Sequence, residues 1–364
     1  METRDFTNTG YALLQEWYLE MVSQHTEKTI ALKQVIDEKF NSMKEYDDLL
    51  DYYTLFNCRF QMLIGNFEHD LGSLSHLQEQ PDSRLQYYYH FFKFIYTTEM
   101  GQYPKAEHHL RLAEELLPVL NDELENAEFQ YRVGLYHYYL SQPTLAVKHT
   151  SNALEYFEKD KELHSFHAKV GACKNTIGMS LITLDQHAMA EEYLISALSI
   201  LEDEKESKAA LTVRYNLGVF YANQKLWEIS LRHLEDVYEK FSSPRLPYQK
   251  KGIHTLAEVH YNLGNYEKAR IFIAEGLEDC TEEYHHRYNI LNALVDKVAI
   301  EELEPIVLEA IAYFKDQNIS KEIQNYSEFL ANECYNIGMK DKASDYYRMS
   351  YEAKISIKEK GYLR

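Results

Sequence analysis

Residues 133–154, VGLYHYYLSQPTLAVKHTSNAL, set Gly134, Ala146 and Ala153 at successive offsets of twelve and seven. Residues 177–198, IGMSLITLDQHAMAEEYLISAL, repeat those offsets with Gly178, Ala190 and Ala197. The register continues through Gly218, Ser230 and Val237, then Ala257, Ala269 and Gly276, and later Ala331, Ala343 and Ser350. An earlier copy starts on Phe94 and carries Ala106 and Ala113. The copies from 94 to 257 begin 40, 44, 40 and 39 residues apart. A constant internal spacing of this kind marks a stack of like units, each too small to bury its apolar face alone.

Small residues at positions 8, 20 and 27 of a helix–turn–helix unit are where its two helices cross closely. That is the tetratricopeptide (TPR) pattern, with linkers longer than the minimal period of about 34 residues. Pro104 and Pro143 fall in helix–helix connections, where a proline opens the second helix. Pro244 and Pro247 fall in an inter-repeat loop. Between about 281 and 320 the small-residue pattern fades, and a degenerate repeat is expected there.

One tetrapeptide sits in two registers. YNLG at 215–218 places Gly218 at the close-crossing position of a first helix. YNLG at 261–264 and YNIG at 335–338 place Gly264 and Gly338 five residues before the Ala of the second helix, where a glycine ends the first. Asn262 and Asn336 then fall at helix ends and take turn roles. Asn216 falls well inside a helix, where Asn is a mediocre helix former.

Composition agrees with a helical chain. Of 364 residues, 45% are apolar, and 13 Gly and 7 Pro leave little material for loops. The 31 tyrosines suit helical packing in which the ring is buried and the hydroxyl stays satisfied. Thirty-eight basic against 58 acidic residues give a formal charge of −20. Such a chain is a poor direct ligand for nucleic acid or anionic membrane, and proteins or cationic peptides are the expected partners. Cys58, Cys173, Cys280 and Cys334 lie far apart without a CxxC pair and read as free core thiols in a reducing compartment. METRDFTNTG lacks the basic and apolar regions of a signal peptide, and no run approaches the ~18 apolar residues of a membrane span. A cytoplasmic location is expected.

The first 75 residues do not follow the repeat. YALLQEWYLEMVSQ (11–24), KTIALKQVIDEKFNSM (28–43) and YDDLLDYYTLFNCRFQMLIG (46–65) each carry apolar residues at helical spacing. Leu13, Leu14, Trp17, Leu19 and Met21 form the first stripe, and Ile30, Leu32, Val35, Ile36 and Phe40 the second. The expected architecture is all-α: a three-helix bundle over 1–72, a connector over 73–84, and a right-handed TPR superhelix of six or seven repeats over 85–364.

LQEWYLEM, LDYYTLFNCRFQML, LQYYYHFFKFIY and ENAEFQYRVGLYHYYLSQ, in that order, resemble the Rap family of response-regulator aspartate phosphatases and related quorum-sensing regulators of spore-forming Gram-positive bacteria. The resemblance runs from about Leu13 to Tyr351. It implies a bundle that binds a response regulator, through a surface here including Glu45, Asp47, Leu50 and Cys58. It implies a short Phr-type peptide bound on the inner stripe of the repeats: Tyr131, Arg132, Asn175, Asn216, Asn223, His254 and Glu258. Asn216 in RYNLGVF matches the family's peptide-gripping Asn. Phosphatase members carry a Gln at the start of the third bundle helix, and its amide orients the attacking water. Here that position is Asp47, which cannot donate a hydrogen bond when ionised. A family Phe further along is Cys58.

Two functions follow from the resemblance: a peptide-controlled inhibitor of a response regulator, and an aspartyl-phosphate phosphatase with Asp47 in the catalytic position. A generic TPR scaffold is the third. No cofactor is implied, and a magnesium ion would belong to the phosphorylated partner. The His pairs 108–109 and 285–286, and His164 with His167, lack metal-site spacing and read as surface or groove histidines. Tyr87, Tyr88, Tyr89, Phe91, Phe92, Phe94 and Tyr96 read as core of the first repeat.

Overall fold

The computed structural model describes residues 2–43, 47–67, 71–79, 82–159, 166–203, 207–240, 247–278, 280–317 and 319–362. Among them the regular structure is entirely helical, as the repeat register requires. Three helices come first: α1 (Glu2–Ser23), α2 (Thr26–Met43) and α3 (Asp47–Leu63). A 3-10 segment, Leu71–Glu79, follows and buries Leu74 and Leu77. Seven helix pairs then run in order: α4 (Ser83–Glu99) with α5 (Tyr103–Leu120), α6 (Glu123–Tyr139) with α7 (Pro143–Lys159), and α8 (His167–Thr183) with α9 (His187–Asp203). They continue as α10 (Ser207–Asn223) with α11 (Trp227–Tyr238), α12 (Pro247–Asn262) with α13 (Tyr266–Leu277), α14 (Glu282–Val295) with α15 (Ile300–Asp316), and α16 (Ser320–Asn336) with α17 (Lys340–Tyr362). The pair α14/α15 occupies the stretch where the small-residue pattern fades.

Prolines and caps punctuate the chain as its chemistry dictates. Pro143 opens α7 and Pro104 sits in the first turn of α5, whereas Pro247, expected in the inter-repeat loop, opens α12, where its fixed φ suits a first helical residue. Pro244 lies outside the described residues. Asp122 caps α6 by accepting from the backbone N–H groups of Leu124 (2.9 Å) and Glu125 (3.2 Å).

The small residues lie in the helix crossings. Ala106, Ala113, Ala146, Ala153, Ala190 and Ala197 are fully buried. A Cβ placed on Gly218 would lie 2.6 Å from Leu234 of α11. Gly264 and Gly338 instead follow the ends of α12 and α16 at φ +77° and +85°, with nothing near the place a Cβ would take. The two registers of one tetrapeptide are thus two different physical demands for glycine.

The chain divides into two compact units, 1–213 and 214–364. In the first, Trp17 is fully buried and donates its indole N–H to the Thr29 carbonyl at 3.0 Å. Tyr18 stacks on Phe56 at 4.8 Å and meets Tyr88 edge-on at 5.3 Å. The aromatic run of α4 is therefore core, with Tyr88 and Phe92 turned to α1 and α3. The expected stripe on α2 is corrected in part. Ile36 is buried, while Ile30 and Val35 are exposed; the Phe40 side chain lies outside the described residues. In the second unit, Leu256 and Val259 of α12 pack with Leu234 of α11, and Leu303, Val307 and Phe314 of α15 pack with Leu330 of α16.

All four cysteines are free thiols, with Cys173 and Cys334 buried. Cys58 and Cys280 are only half-buried, so they are not the core thiols the sequence suggests. None of the described helices is long and apolar enough to cross a membrane.

Candidate functional site

In the first unit, charged groups from three helices converge on one carboxylate. Glu128 of α6 is fully buried. Its Oε1 accepts from Arg132 Nε at 2.8 Å, one turn on, and its Oε2 from Lys169 Nζ of α8 at 2.5 Å. Arg59 of α3 lies 3.6 Å away. Burial alone would push the Glu128 carboxyl up, but Lys169, Arg132 and Arg59 together hold it down to about 2. Burial, opposed by Glu128, brings Lys169 down to about 8, because three cations share one carboxylate.

A second carboxyl lies one turn earlier. Glu125 Oε1 accepts from Tyr18 of α1 at 2.9 Å and from Tyr87 of α4 at 2.8 Å. Burial pushes Glu125 up to about 8 against those two hydrogen bonds, and the charge of Glu128 adds to the push. At neutral pH Glu125 is therefore protonated while Glu128 is ionised. The two carboxyls tie α1 and α3 to α4, α6 and α8 within one buried network.

Sequence reasoning did not find this network. One signal was present: Glu128 and Arg132 are an i,i+4 pair of opposite charge. Lys169, inside HAKVGACKNT, gives no signal, because a lysine between small residues looks like a solvated one.

The expected peptide-binding residues divide between the units. Tyr131, Arg132 and Asn175 belong to the first. Tyr131 is buried beneath Lys169, which lies 4.3 Å from its ring centre, and Arg132 is committed to Glu128. Asn175 is half-buried on α8. Asn216, Asn223, His254 and Glu258 belong to the second. Asn216 lies mid-way along α10 at 9% exposure, and Asn223 ends that helix exposed. Asn216 is thus nearly out of water, although its type and its place on the expected peptide stripe suggest a solvated group.

His254 and Glu258, one turn apart on α12, meet side chains of α14 and α16. His254 packs edge-on to Tyr284 at 5.4 Å and to Tyr288 at 5.0 Å. Arg287 pairs with Glu283 at 2.6 Å and Glu322 at 3.3 Å. Burial, then the charge of Glu322, pushes Glu258 up to about 6 against Arg287. Burial and Arg287 push His254 down to about 3.

Of the expected response-regulator surface, Leu50 and Cys58 are half-buried on α3. Glu45 and the Asp47 side chain lie outside the described residues, although the Asp47 backbone opens α3. His164 also lies outside them. Among the described residues no group of three or more His, Cys, Asp or Glu is placed to hold a metal ion.

Comparison with known proteins places this architecture. Residues 11–65 match the family model described as response regulator aspartate phosphatase H, N terminal. Response regulator aspartate phosphatase I of Bacillus subtilis (strain 168) is 25% identical over 362 residues, covering 95% of this chain and 90% of that protein. The crystal structure of the apo form of RapI covers 96% of this chain and 99% of its own at 24% identity and a TM-score of 0.66. A Rap protein solved in complex with competence and sporulation factor matches over 97% of this chain and 99% of its own, at 20% identity and a TM-score of 0.74. In three leading helices, seven helix pairs and an N-terminal model match, in one order, the described residues of the chain are similar to the Rap proteins.

Proposed function

We propose that this chain is a cytoplasmic regulator that binds and inhibits a response regulator through helices α1–α3, residues 1–72, and that a short Phr-type peptide on the repeats of 85–364 controls it. The observation carrying this reading is the extent of the match: one order of elements over nearly the whole chain, shared with a Rap protein that is complexed with a signalling factor. The first helices of the repeats supply amide and imidazole groups that both donate and accept, as an extended peptide backbone requires. Asn216, inside α10, is the central such group.

A second reading is favoured by the names of the relatives, several of which are response regulator aspartate phosphatases. Asp47 would then orient or deprotonate the attacking water. The inhibitor reading is preferred because a carboxylate beside an aspartyl phosphate adds like-charge repulsion and offers no donor. Both are tested by mixing the purified chain with a phosphorylated response regulator and following phosphate release. A stable complex without accelerated release supports the inhibitor. Fast release by the wild type, unchanged in Asp47→Gln, overturns it. Pull-down from host cytosol, with and without candidate peptides, identifies the regulator and the peptide.

A further inference from the structure

We propose that the outer face of the last helix pair, built on Tyr347 and Tyr351 of α17, seats the same face of a second copy of this chain. The surface lies outside both sites of the proposed function, which uses helices α1–α3 and the inner stripe of the repeats.

The repeat register shows that this face has the form of a covered one. Four residues after the small residue that opens the crossing on α7, α9, α11 and α13 stand Thr150, Leu194, Leu234 and Ile273. All four are between 0% and 2% exposed. In the second unit the following first helix supplies the cover: Leu234 packs with Leu256 and Val259 of α12, and Ile273 with Tyr288 and Leu291 of α14. Eight residues after the small residue, Leu154 of α7 and Leu198 of α9 are buried as well. On α17 the same two positions hold Tyr347 and Tyr351, at 41% and 64% exposure. Among the described residues no helix follows α17 to cover them. A terminal repeat that meets water ordinarily turns a polar face outward. Here Ile355, one turn beyond Tyr351 and also exposed, extends the stripe along α17.

The rim of the face fits a copy of itself. The Tyr347 hydroxyl donates to Asn332 Oδ1 of α16 at 2.6 Å, which holds that ring at the surface. Glu328, one turn before Asn332, is exposed, as are Arg348, Glu352 and Lys354 of α17. Arg348 meets Asp345 at 3.2 Å with both side chains largely in water. The rim thus carries both signs of charge about a tyrosine centre. A two-fold axis sets a patch against itself, and a patch of mixed sign is its own complement, whereas one of single sign repels its copy. In a chain of charge −20, this local balance is what self-association requires. Tyrosine and arginine are also the side chains that most often anchor protein interfaces. Each earlier seat takes a helix, and the partner's α17 presents one.

Size sets the strength. The 17 residues of α16 rise about 1.5 Å each, and two helices about 9 Å apart make an end face of roughly 500 Å². A standard-size interface buries about 800 Å² on each partner. A reversible dimer of micromolar affinity is therefore expected.

Sedimentation velocity of the full chain from about 1 to 200 µM tests this. The wild type should pass from monomer to dimer across that range. Tyr351→Glu should raise the dimer dissociation constant at least about tenfold with an unchanged circular dichroism spectrum, because each substitution enters a two-fold interface twice. Arg348→Glu, at another exposed position of α17, is the second variant in case the first misfolds, and should also weaken the dimer. Ile271→Glu, 63% exposed on α13 and outside the face, should associate as the wild type does. A wild type that stays monomeric at every concentration overturns the proposal. So does a dimer that Tyr351→Glu and Arg348→Glu leave intact. Growth beyond the dimer with rising concentration overturns the two-fold pairing.

Discussion

Lys169 of α8 donates to Glu128 of α6 at 2.5 Å, and both side chains are out of water. Arg132 and Arg59 crowd the same carboxylate. Breaking a buried ion pair by removing one partner costs roughly 3–5 kcal/mol, because the other charge stays buried. Glu128→Gln leaves three cations without their anion and is expected to lose that much stability in the first unit. Denaturant unfolding followed by Trp17 fluorescence, in a Trp227→Phe background that leaves one tryptophan, measures it. A loss below about 1 kcal/mol would refute the buried network.

Glu125 makes the opposite prediction with pH. Its carboxyl is raised to about 8, so between about 4.5 and 8 the folded chain holds a proton that the unfolded chain has released. Folding stability therefore falls as pH rises through that window. Glu125→Gln keeps an acceptor for Tyr18 and Tyr87 and has no proton to lose. His90, His109 and His149 are held down to about 4 and have finished titrating by pH 6.5. From pH 6.5 to 8, the Gln variant should gain about 1–2 kcal/mol on the wild type. Parallel thermal scans at the two pH values check this. A difference between the two proteins that does not change with pH counts against a protonated Glu125.

The glycines separate two kinds of demand. Gly218 needs the absence of a Cβ, because Leu234 fills that place. Gly264 needs only a positive φ. Asn tolerates the left-handed region. Gly264→Asn should therefore cost under about 1 kcal/mol, while Gly218→Ala should cost roughly 1–3 kcal/mol through overpacking. Chemical denaturation of the two variants ranks them. Equal costs would mean that the crossing at Gly218 is looser than the packing indicates.

Backbone demands of this sort were legible in the sequence. A close crossing or a helix end constrains one residue type at one offset, and six copies of the offset repeat the message. Pro104 and Pro143 were legible for the same reason. The buried charges were not. Lys169 reaches Glu128 across 41 residues, and nothing local to HAKVGACKNT separates a lysine that will pair in a core from one that will be solvated. The acid-lined cluster was half legible. His254 and Glu258 share a helical stripe, but Arg287 and Glu322 join it only because α14 and α16 follow α12 in the stack. Asn216 was found by its place inside a helix, but nothing local to RYNLGVF shows that its side chain is buried.

That burial changes what Asn216→Ala should do. At 9% exposure the side chain is nearly dry, so truncation costs stability as well as peptide affinity. Losing one buried hydrogen-bonding group costs roughly 1–3 kcal/mol. The same loss against a bound peptide lowers affinity about ten- to a hundredfold. Asn223, seven residues later and exposed at the end of α10, serves as the comparison. Asn223→Ala should leave the thermal midpoint unchanged and weaken peptide binding only modestly. Titration calorimetry with the cognate peptide, run well below the midpoint of the less stable variant, separates affinity from folding. Asn216→Ala is expected to lose peptide response and to keep response-regulator binding, which the proposal assigns to α1–α3. Unchanged peptide affinity in Asn216→Ala, with a lowered midpoint, would make Asn216 a packing residue of the α10 crossing and remove it from the peptide site.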